Sequence, residues 1–262
     1  MTSEGLRLKD KVVIVTGGAQ GIGRAYCVGM ADEGAKLVVA DINLEAAEVT
    51  ARDIQAKGRE ALALKTDVSS VEGTQEMAKR TEEHFGRIDV LVNNAAILGR
   101  VKVSRVPFWE LDLDEWERVM AVNLKGSLLC ARAVFPYMKA QGGGKIIHVS
   151  STGFFFGHAN YVHYVASKGG IVGLTRAMAR EVGEYGINVN CITPGATLSE
   201  DPSDKAAVER RVSRLQQSIP KRCLKRMQYP EDLVGTAIFL ASSDSDFITG
   251  QTIVVDGGEV MH

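Results

Sequence analysis

The segment Lys11-Val-Val-Ile-Val-Thr16 is a short apolar, β-branched run that leads straight into glycines at 17, 18, 21 and 23. Such a run suits a strand buried in a parallel sheet. The residues that follow, Arg24-Ala-Tyr-Cys-Val-Gly-Met-Ala31, can continue as a helix. A strand, a tight glycine turn and a helix leave backbone N–H groups and the positive end of the helix dipole facing outward, where a pyrophosphate can sit. Gly17, Gln20, Gly21, Ile22 and Gly23 are therefore candidate cofactor contacts. The glycines at 17, 21 and 23 depart from the G-x-G-x-x-G spacing, so a generic motif search would score the loop poorly.

A second strand, Lys36 to Ala40, ends at Asp41, 18 residues beyond Gly23. An acid at about that distance hydrogen-bonds the ribose hydroxyls and repels a 2′-phosphate, which points to NAD. The plainer alternative makes Asp41 a cap for the helix starting near Leu44. Beyond it the chain alternates: helix Leu44 to Lys57, strand Ala61 to Thr66, helix Val71 to Phe85, strand Asp89 to Val92, long helix Asp114 to Lys139, strand Lys145 to Ser150, a helix from Tyr164 to about Tyr185, and strand Ile187 to Thr193. Alternation of this kind predicts an α/β chain, one Rossmann-type doubly wound parallel sheet flanked by helices over residues 1–262. Gly142-Gly143-Gly144 reads as a turn, and Gly195 to Pro220 as the irregular part.

Composition narrows the function classes. A chain of 262 residues, 45% hydrophobic and 24% charged, can bury a core of ordinary size. A formal charge of −1 with scattered basic residues gives no case for nucleic acid or an anionic membrane. With no signal-like start and no uncharged apolar run near membrane-spanning length, a cytoplasmic location is expected. Cys27, Cys130, Cys191 and Cys223 are dispersed, so neither a disulfide nor a metal site is expected.

Tyr164 and Lys168 lie one helical turn apart in Tyr-Val-Ala-Ser-Lys, thirteen positions after Ser151. On a helix they share a face, and a lysine charge beside a phenol favours the phenolate. Taken singly each has an unremarkable reading: Ser151 as a cap, Lys168 as a solvated charge, Asn123 as a satisfied core amide.

Together these residues resemble the short-chain dehydrogenase/reductase family along nearly the whole chain. The matching motifs are Thr16-Gly-x-x-x-Gly-x-Gly23, Asp67-Val68, Asn93-Asn94-Ala95-Ala96, Asn123, Ser151, Tyr164 with Lys168, and Pro194-Gly195. Ala96 departs from a more usual glycine. The resemblance implies Tyr164 as general acid/base, Lys168 lowering its pKa and binding the nicotinamide ribose, Ser151 on the substrate oxygen, and Asn123 holding a proton-relay water. It also implies cofactor contacts at Asp67, Val68, Asn93, Ala95, Pro194, Gly195 and Thr197, and a lid over substrate at about 195–220.

Substrate is less constrained. Phe154-Phe155-Phe156, read as a loop, border the pocket or else seal a core or oligomer interface, the two being about equally weighted. With Tyr161 and Leu98 they suit an aryl or alicyclic group, with His158, His163, Tyr161 or Arg100 as polar contacts. In general pattern the chain is similar to NAD-dependent secondary-alcohol dehydrogenases of 1-phenylethanol and 1-(4-hydroxyphenyl)ethanol. The alternative is a 3-oxoacyl-[acyl-carrier-protein] reductase, with Arg100, Lys102 and Arg105 as a docking patch but Asp41 opposing NADPH. A nucleotide-sensing protein without turnover would not need Ser151, Tyr164 and Lys168 together. Apolar residues on the two long helices, Leu128, Val134, Ile171, Leu174 and Met178, together with the resemblance, lead to an expected homotetramer.

Overall fold

A computed structural model describes residues 5–97, 103–200 and 203–261. Its strands are β1 (Val12–Thr16), β2 (Lys36–Asp41), β3 (Ala61–Lys65), β4 (Val90–Asn93), β5 (Gly144–Val149), β6 (Ile187–Pro194) and β7 (Thr252–Val255). All pair in parallel in one sheet of order β3-β2-β1-β4-β5-β6-β7. The helices are α1 (Gly21–Asp32), α2 (Leu44–Ala56), α3 (Val71–Phe85), α4 (Leu113–Met120), α5 (Gly126–Ala140), α6 (Gly153–Phe156), α7 (Val162–Val182), α8 (Lys205–Leu215) and α9 (Glu231–Ala241). The expected single-domain doubly wound sheet is what the chain forms.

Strand alternation sorts the core into two layers. Val13, Val15, Leu37, Val39, Val90 and Val92 point to one face, where α1, α2 and α9 supply Tyr26, Met30, Ile54 and Leu233. Ile14, Val38, Leu91 and Ile146 point to the other, against Met77 of α3, Val134 and Met138 of α5, and Val182 of α7. Each such side chain, fully buried, contributes about 1.5–3 kcal/mol. Helices change face where the strand order reverses, between β1 and β4, and that reversal opens a crevice at the carboxyl ends of those strands.

Several boundaries and elements differ from the sequence reading. Phe154 to Phe156 form the single turn α6 rather than a loop, and α9 and β7 had not been assigned. The long helix is interrupted by a π-helical turn, Ala121–Lys125, between α4 and α5. The run Leu113–Ala140 is long and apolar enough to cross a membrane by length and composition. It carries Lys125 and Arg132 and packs on α3 and α7, as a core helix does. Val134, Ile171 and Met178, three residues chosen as surplus apolar surface, are buried within this chain, whereas Leu128 is exposed. Cys27, Cys130 and Cys191 are buried free thiols, while Cys223 is exposed. Leu98, Arg100 and Lys102 lie outside the described residues.

A buried histidine makes stability depend on pH. His148 of β5 is fully buried, its Nδ1 3.2 Å from the Asn93 side-chain nitrogen. Burial, and then the charge of Lys168, push its pKa down to about 4. Unfolded, it titrates near 6.5, so between these values the unfolded chain binds more protons and stability falls as pH falls. The expected loss is up to about 3 kcal/mol, complete below about pH 4. Urea melts at pH 7, 5.5 and 4.5 should show this slope, and His148→Gln should flatten it. Identical slopes in the two proteins would refute the assignment.

Candidate active site

The glycine loop closes on itself too tightly for side chains. Gly17 has φ +63°, and a Cβ there would lie 2.9 Å from Ala95 Cα. A Cβ on Gly23 would collide with the Gly17 carbonyl oxygen and lie 2.7 Å from Asn94 Nδ2. Gln20, extended at the N-cap of α1, does not cap the helix with its side chain, so the first-turn amides stay available to an anion. This is a cradle that a dinucleotide pyrophosphate fits. Ile22 is half-buried beside it, and Gly21 lies under the chain that follows β6, a Cβ there being 3.1 Å from Ser199 O.

Asp41 ends β2 beside this loop. Its Oδ2 accepts from Ala19 N at 3.1 Å and its Oδ1 from Asn43 N at 3.0 Å. Asn43, not Asp41, caps α2, its side chain accepting from Ala46 N. Asp41 thus faces the nucleotide crevice. Asp67, exposed at the end of β3, accepts from Ser69 N and Oγ, and the neighbouring Val68 packs beneath Gly126.

One expected contact is placed differently. Asn93 is only 3% exposed, and its Nδ2 donates to Ser127 O at 3.1 Å and faces His148. It shares the face of Leu91, towards α5, so its side chain is a core amide rather than a cofactor ligand. Asn94, one residue on and so on the opposite face, braces the loop instead. Its Nδ2 donates to Thr16 O at 3.0 Å and Gly17 O at 3.1 Å, while Thr16 Oγ1 accepts from Asn94 N and Ala95 N. Counting strand parity from Leu91 would have found this pair. Beyond β6, Gly195 N donates to Val255 O and Thr197 Oγ1 to Gly195 O, while Pro194 O accepts from Thr152 N, which fixes the three residues at the site's edge.

The catalytic candidates do converge. Tyr164 and Lys168, in the first turns of α7, are both buried. Ser151, just past β5, accepts from Gly153 N at 3.1 Å and hydrogen-bonds the Tyr164 side chain. Lys168 Nζ donates to Val149 O at 2.8 Å and lies 5.9 Å from the Tyr164 ring centroid. Asn123 sits in the π-helical turn. Its Oδ1 accepts from Ile97 N at 2.7 Å and its Nδ2 donates to Ser167 Oγ at 3.3 Å, so its side chain ties β4's exit to α7.

Electrostatics here run against the simple expectation. Burial pushes the Tyr164 phenol up to about 12, with the Ser151 hydrogen bond opposing it. Burial also lowers Lys168 to about 8. Desolvation penalises both charged forms, and at this distance the lysine does not overcome it. His163 is not a pocket residue: it is buried, its Nε2 3.1 Å from Glu115 Oε1. Tyr161, by contrast, stacks on Tyr164 with ring centroids 4.9 Å apart. Phe154 lies against Gly169 of α7, and Phe156 is 42% exposed near His158. Among the described residues no cluster could hold a metal ion.

A family model described as enoyl-(acyl carrier protein) reductase matches residues 17–259. The chain belongs to the short-chain dehydrogenase/reductase family. It is 43% identical over 252 residues to an uncharacterized oxidoreductase of Mycobacterium tuberculosis, covering 96% of this chain and 98% of that protein. It is 38% identical to the 2-dehydro-3-deoxy-D-gluconate 5-dehydrogenase of Escherichia coli, covering 96% of each. A solved structure of a provisionally assigned short-chain alcohol dehydrogenase from Sinorhizobium meliloti 1021 superposes with a TM-score of 0.88 at 33% identity, over 97% of this chain and 98% of that one. Oxidoreductases of this family typically use a nicotinamide cofactor, and the glycine cradle fits one.

The two asparagines should separate on mutation. Asn94→Ala removes two hydrogen bonds that hold the cradle, so the Kd for the nicotinamide dinucleotide should rise about tenfold. Asn93→Ala should instead cost about 1–3 kcal/mol of stability, because Ser127 O and His148 lose a buried partner. Cofactor titration and urea melts of both variants check this, and equal effects on Kd would contradict it.

Proposed function

We propose that the protein is an NAD-dependent oxidoreductase that interconverts a secondary, aryl or cyclic, alcohol and its ketone. The observation that carries this reading is the meeting of Ser151, Tyr164 and Lys168 in a desolvated site beside the glycine cradle. When bound, the nicotinamide supplies the hydride acceptor or donor at its C4. Tyr164 then takes the hydroxyl proton in oxidation or gives it back in reduction, and Ser151 holds the substrate oxygen. Lys168 binds the nicotinamide ribose, and Asn123 fixes the distorted turn beside α7. Asp67, Val68, Ala95, Pro194, Gly195 and Thr197 line the cofactor's path.

Asp41 selects NAD over NADP by accepting ribose hydrogen bonds and repelling a 2′-phosphate. The same carboxylate counts against a 3-oxoacyl carrier-protein reductase, which usually draws on NADPH. Tyr161 and the α6 phenylalanines supply an aromatic wall suited to an aryl or alicyclic group. Segment 195–220 acts as a lid, and α8 within it, with Leu215 alone buried among its described residues, fits a segment that must move. The protomers assemble as a homotetramer through the outward faces of α5 and α7.

Initial rates with NAD and NADP against a panel of secondary alcohols and ketones test the whole reading. NAD should be preferred, and Asp41→Ala should shift the kcat/KM ratio towards NADP by about 1–3 kcal/mol. A wild-type preference for NADP would overturn the cofactor assignment. Tyr164→Phe keeps the ring and removes the proton, so turnover should fall about a hundredfold or more with NADH binding retained. Near-normal turnover in that variant would overturn the mechanism.

A further inference from the structure

His163 and Ser167 directly precede Tyr164 and Lys168, and so lie one turn apart on α7. Each meets a polar side chain from α4 or the π-helical turn that follows it. Ser167 Oγ accepts from Asn123 Nδ2 at 3.3 Å, and His163 Nε2 lies 3.1 Å from Glu115 Oε1. The same two side chains also hold the backbone beyond β4. Asn123 Oδ1 accepts from Ile97 N at 2.7 Å, and Glu115 Oε1 accepts from Ser104 N at 2.7 Å and Ser104 Oγ at 3.0 Å. Ile97 and Ser104 are thus each pinned, through one side chain, to the residue that precedes a catalytic candidate.

The Glu115 pin bears on the substrate side of the site. Arg105 follows Ser104, and its guanidinium carbon lies 4.8 Å from the Tyr161 ring centroid. His163, 1% exposed, meets the same ring edge-on at 5.6 Å, and Tyr161 stacks on Tyr164 at 4.9 Å. Two groups placed through Glu115 therefore bear on the ring that packs against the proton donor. The partner of His163 Nε2 is a carboxylate oxygen, which only accepts, so Nε2 carries the proton. His163 Nδ1 is buried with no partner among the described residues, which leaves Glu115 as the ring's one polar tie there. Burial raises the Glu115 carboxyl, but the Ser104 and His163 hydrogen bonds outweigh it and hold the pKa below the usual carboxylate range. Three donors on one oxygen suit that ionised form.

We propose that Glu115 is a positioning residue for the reaction: it seats Arg105 and His163 against the Tyr161 ring and so holds that ring as a wall of the substrate pocket beside Tyr164. This deepens the alcohol/ketone reading of the same site and rests on it.

The test compares Glu115→Ala, Glu115→Gln and His163→Phe with the wild type, using whichever secondary alcohol or ketone the wild type turns over best. Glu115→Ala should raise KM about tenfold, the size of one or two lost charge-assisted hydrogen bonds, with kcat and the Kd for NADH within about threefold. Glu115→Gln keeps an acceptor oxygen and should recover most of that loss. His163→Phe keeps an aromatic ring and drops the hydrogen bond, so KM should rise about threefold or more. Hydrogen exchange should quicken over residues 103–107 in Glu115→Ala and stay unchanged in β1 and β5. Thermal melts confirm folding, and if the alanine variant does not fold, the other two carry the comparison. A wild-type KM in Glu115→Ala or in His163→Phe, a rise in the NADH Kd as large as that in KM, or a glutamine variant no better than alanine overturns the proposal. Turnover by the wild type with KM unchanged in all three variants would sink this inference alone. A wild type that turns over no alcohol or ketone sinks the dehydrogenase reading and this inference with it.

Discussion

The site depends on a small knot of hydrogen bonds at the point where the strand order reverses. Thr16 ends β1 and Asn94 follows β4, and each serves the other: the threonine hydroxyl accepts from two successive amides, and the asparagine amide donates to the Thr16 and Gly17 carbonyls. Both strands end there, so these carbonyls and amides have left the sheet ladder and would otherwise go unpaired in a half-buried place. Satisfying them with two side chains, Thr16 and Asn94, pins the start of the glycine turn. The path of Gly17 to Gly23, the exposure of the first turn of α1 and the approach of Asp41 to Ala19 all follow from that anchor.

A second anchor sets the catalytic end. Lys168 is buried under α7 with its ammonium on Val149 O, and Ser150 Oγ donates to Lys168 O at 2.7 Å, so the end of β5 and the start of α7 are locked together. Ser151 follows immediately, and its distance from Tyr164 is fixed by the same lock. Asn123 completes it from the π-helical turn, reaching Ile97 N on one side and Ser167 on the other. Inserting a residue into the helix there costs regular hydrogen bonding, and the asparagine recovers two bonds by spanning the gap.

Much of this was legible in the chain. The β-branched runs and glycine turns gave the parallel sheet, and the spacing of Ser151, Tyr164 and Lys168 foretold a shared site, because helical and strand periods are strict. What was missed has physical reasons. Asn93 and Asn94 look alike in sequence, and only strand parity sends one to the core and the other to the loop. Three phenylalanines in a row hide a single helical turn, since one turn is too short to show a period. Val134, Ile171 and Met178 look like surplus apolar surface until both core layers are drawn. The Ser104–Glu115–His163 chain joins residues far apart in sequence, which no local pattern records.

The least legible property was the balance of charge. From spacing alone, a lysine one turn from a tyrosine should lower the phenol's pKa. In the folded chain both groups are desolvated, and burial drives the two pKa values apart, the phenol up to about 12 and the ammonium down to about 8. The Arg211 guanidinium, carried by α8, pulls the Tyr164 phenol the other way. α8 is half exposed, and Leu215 is its one buried residue among those described, so it is among the more weakly held elements around the site. Burial sets the acidity of the phenol first, the Ser151 hydrogen bond opposes it, and the charge carried by α8 adds a smaller pull in the same direction as Ser151.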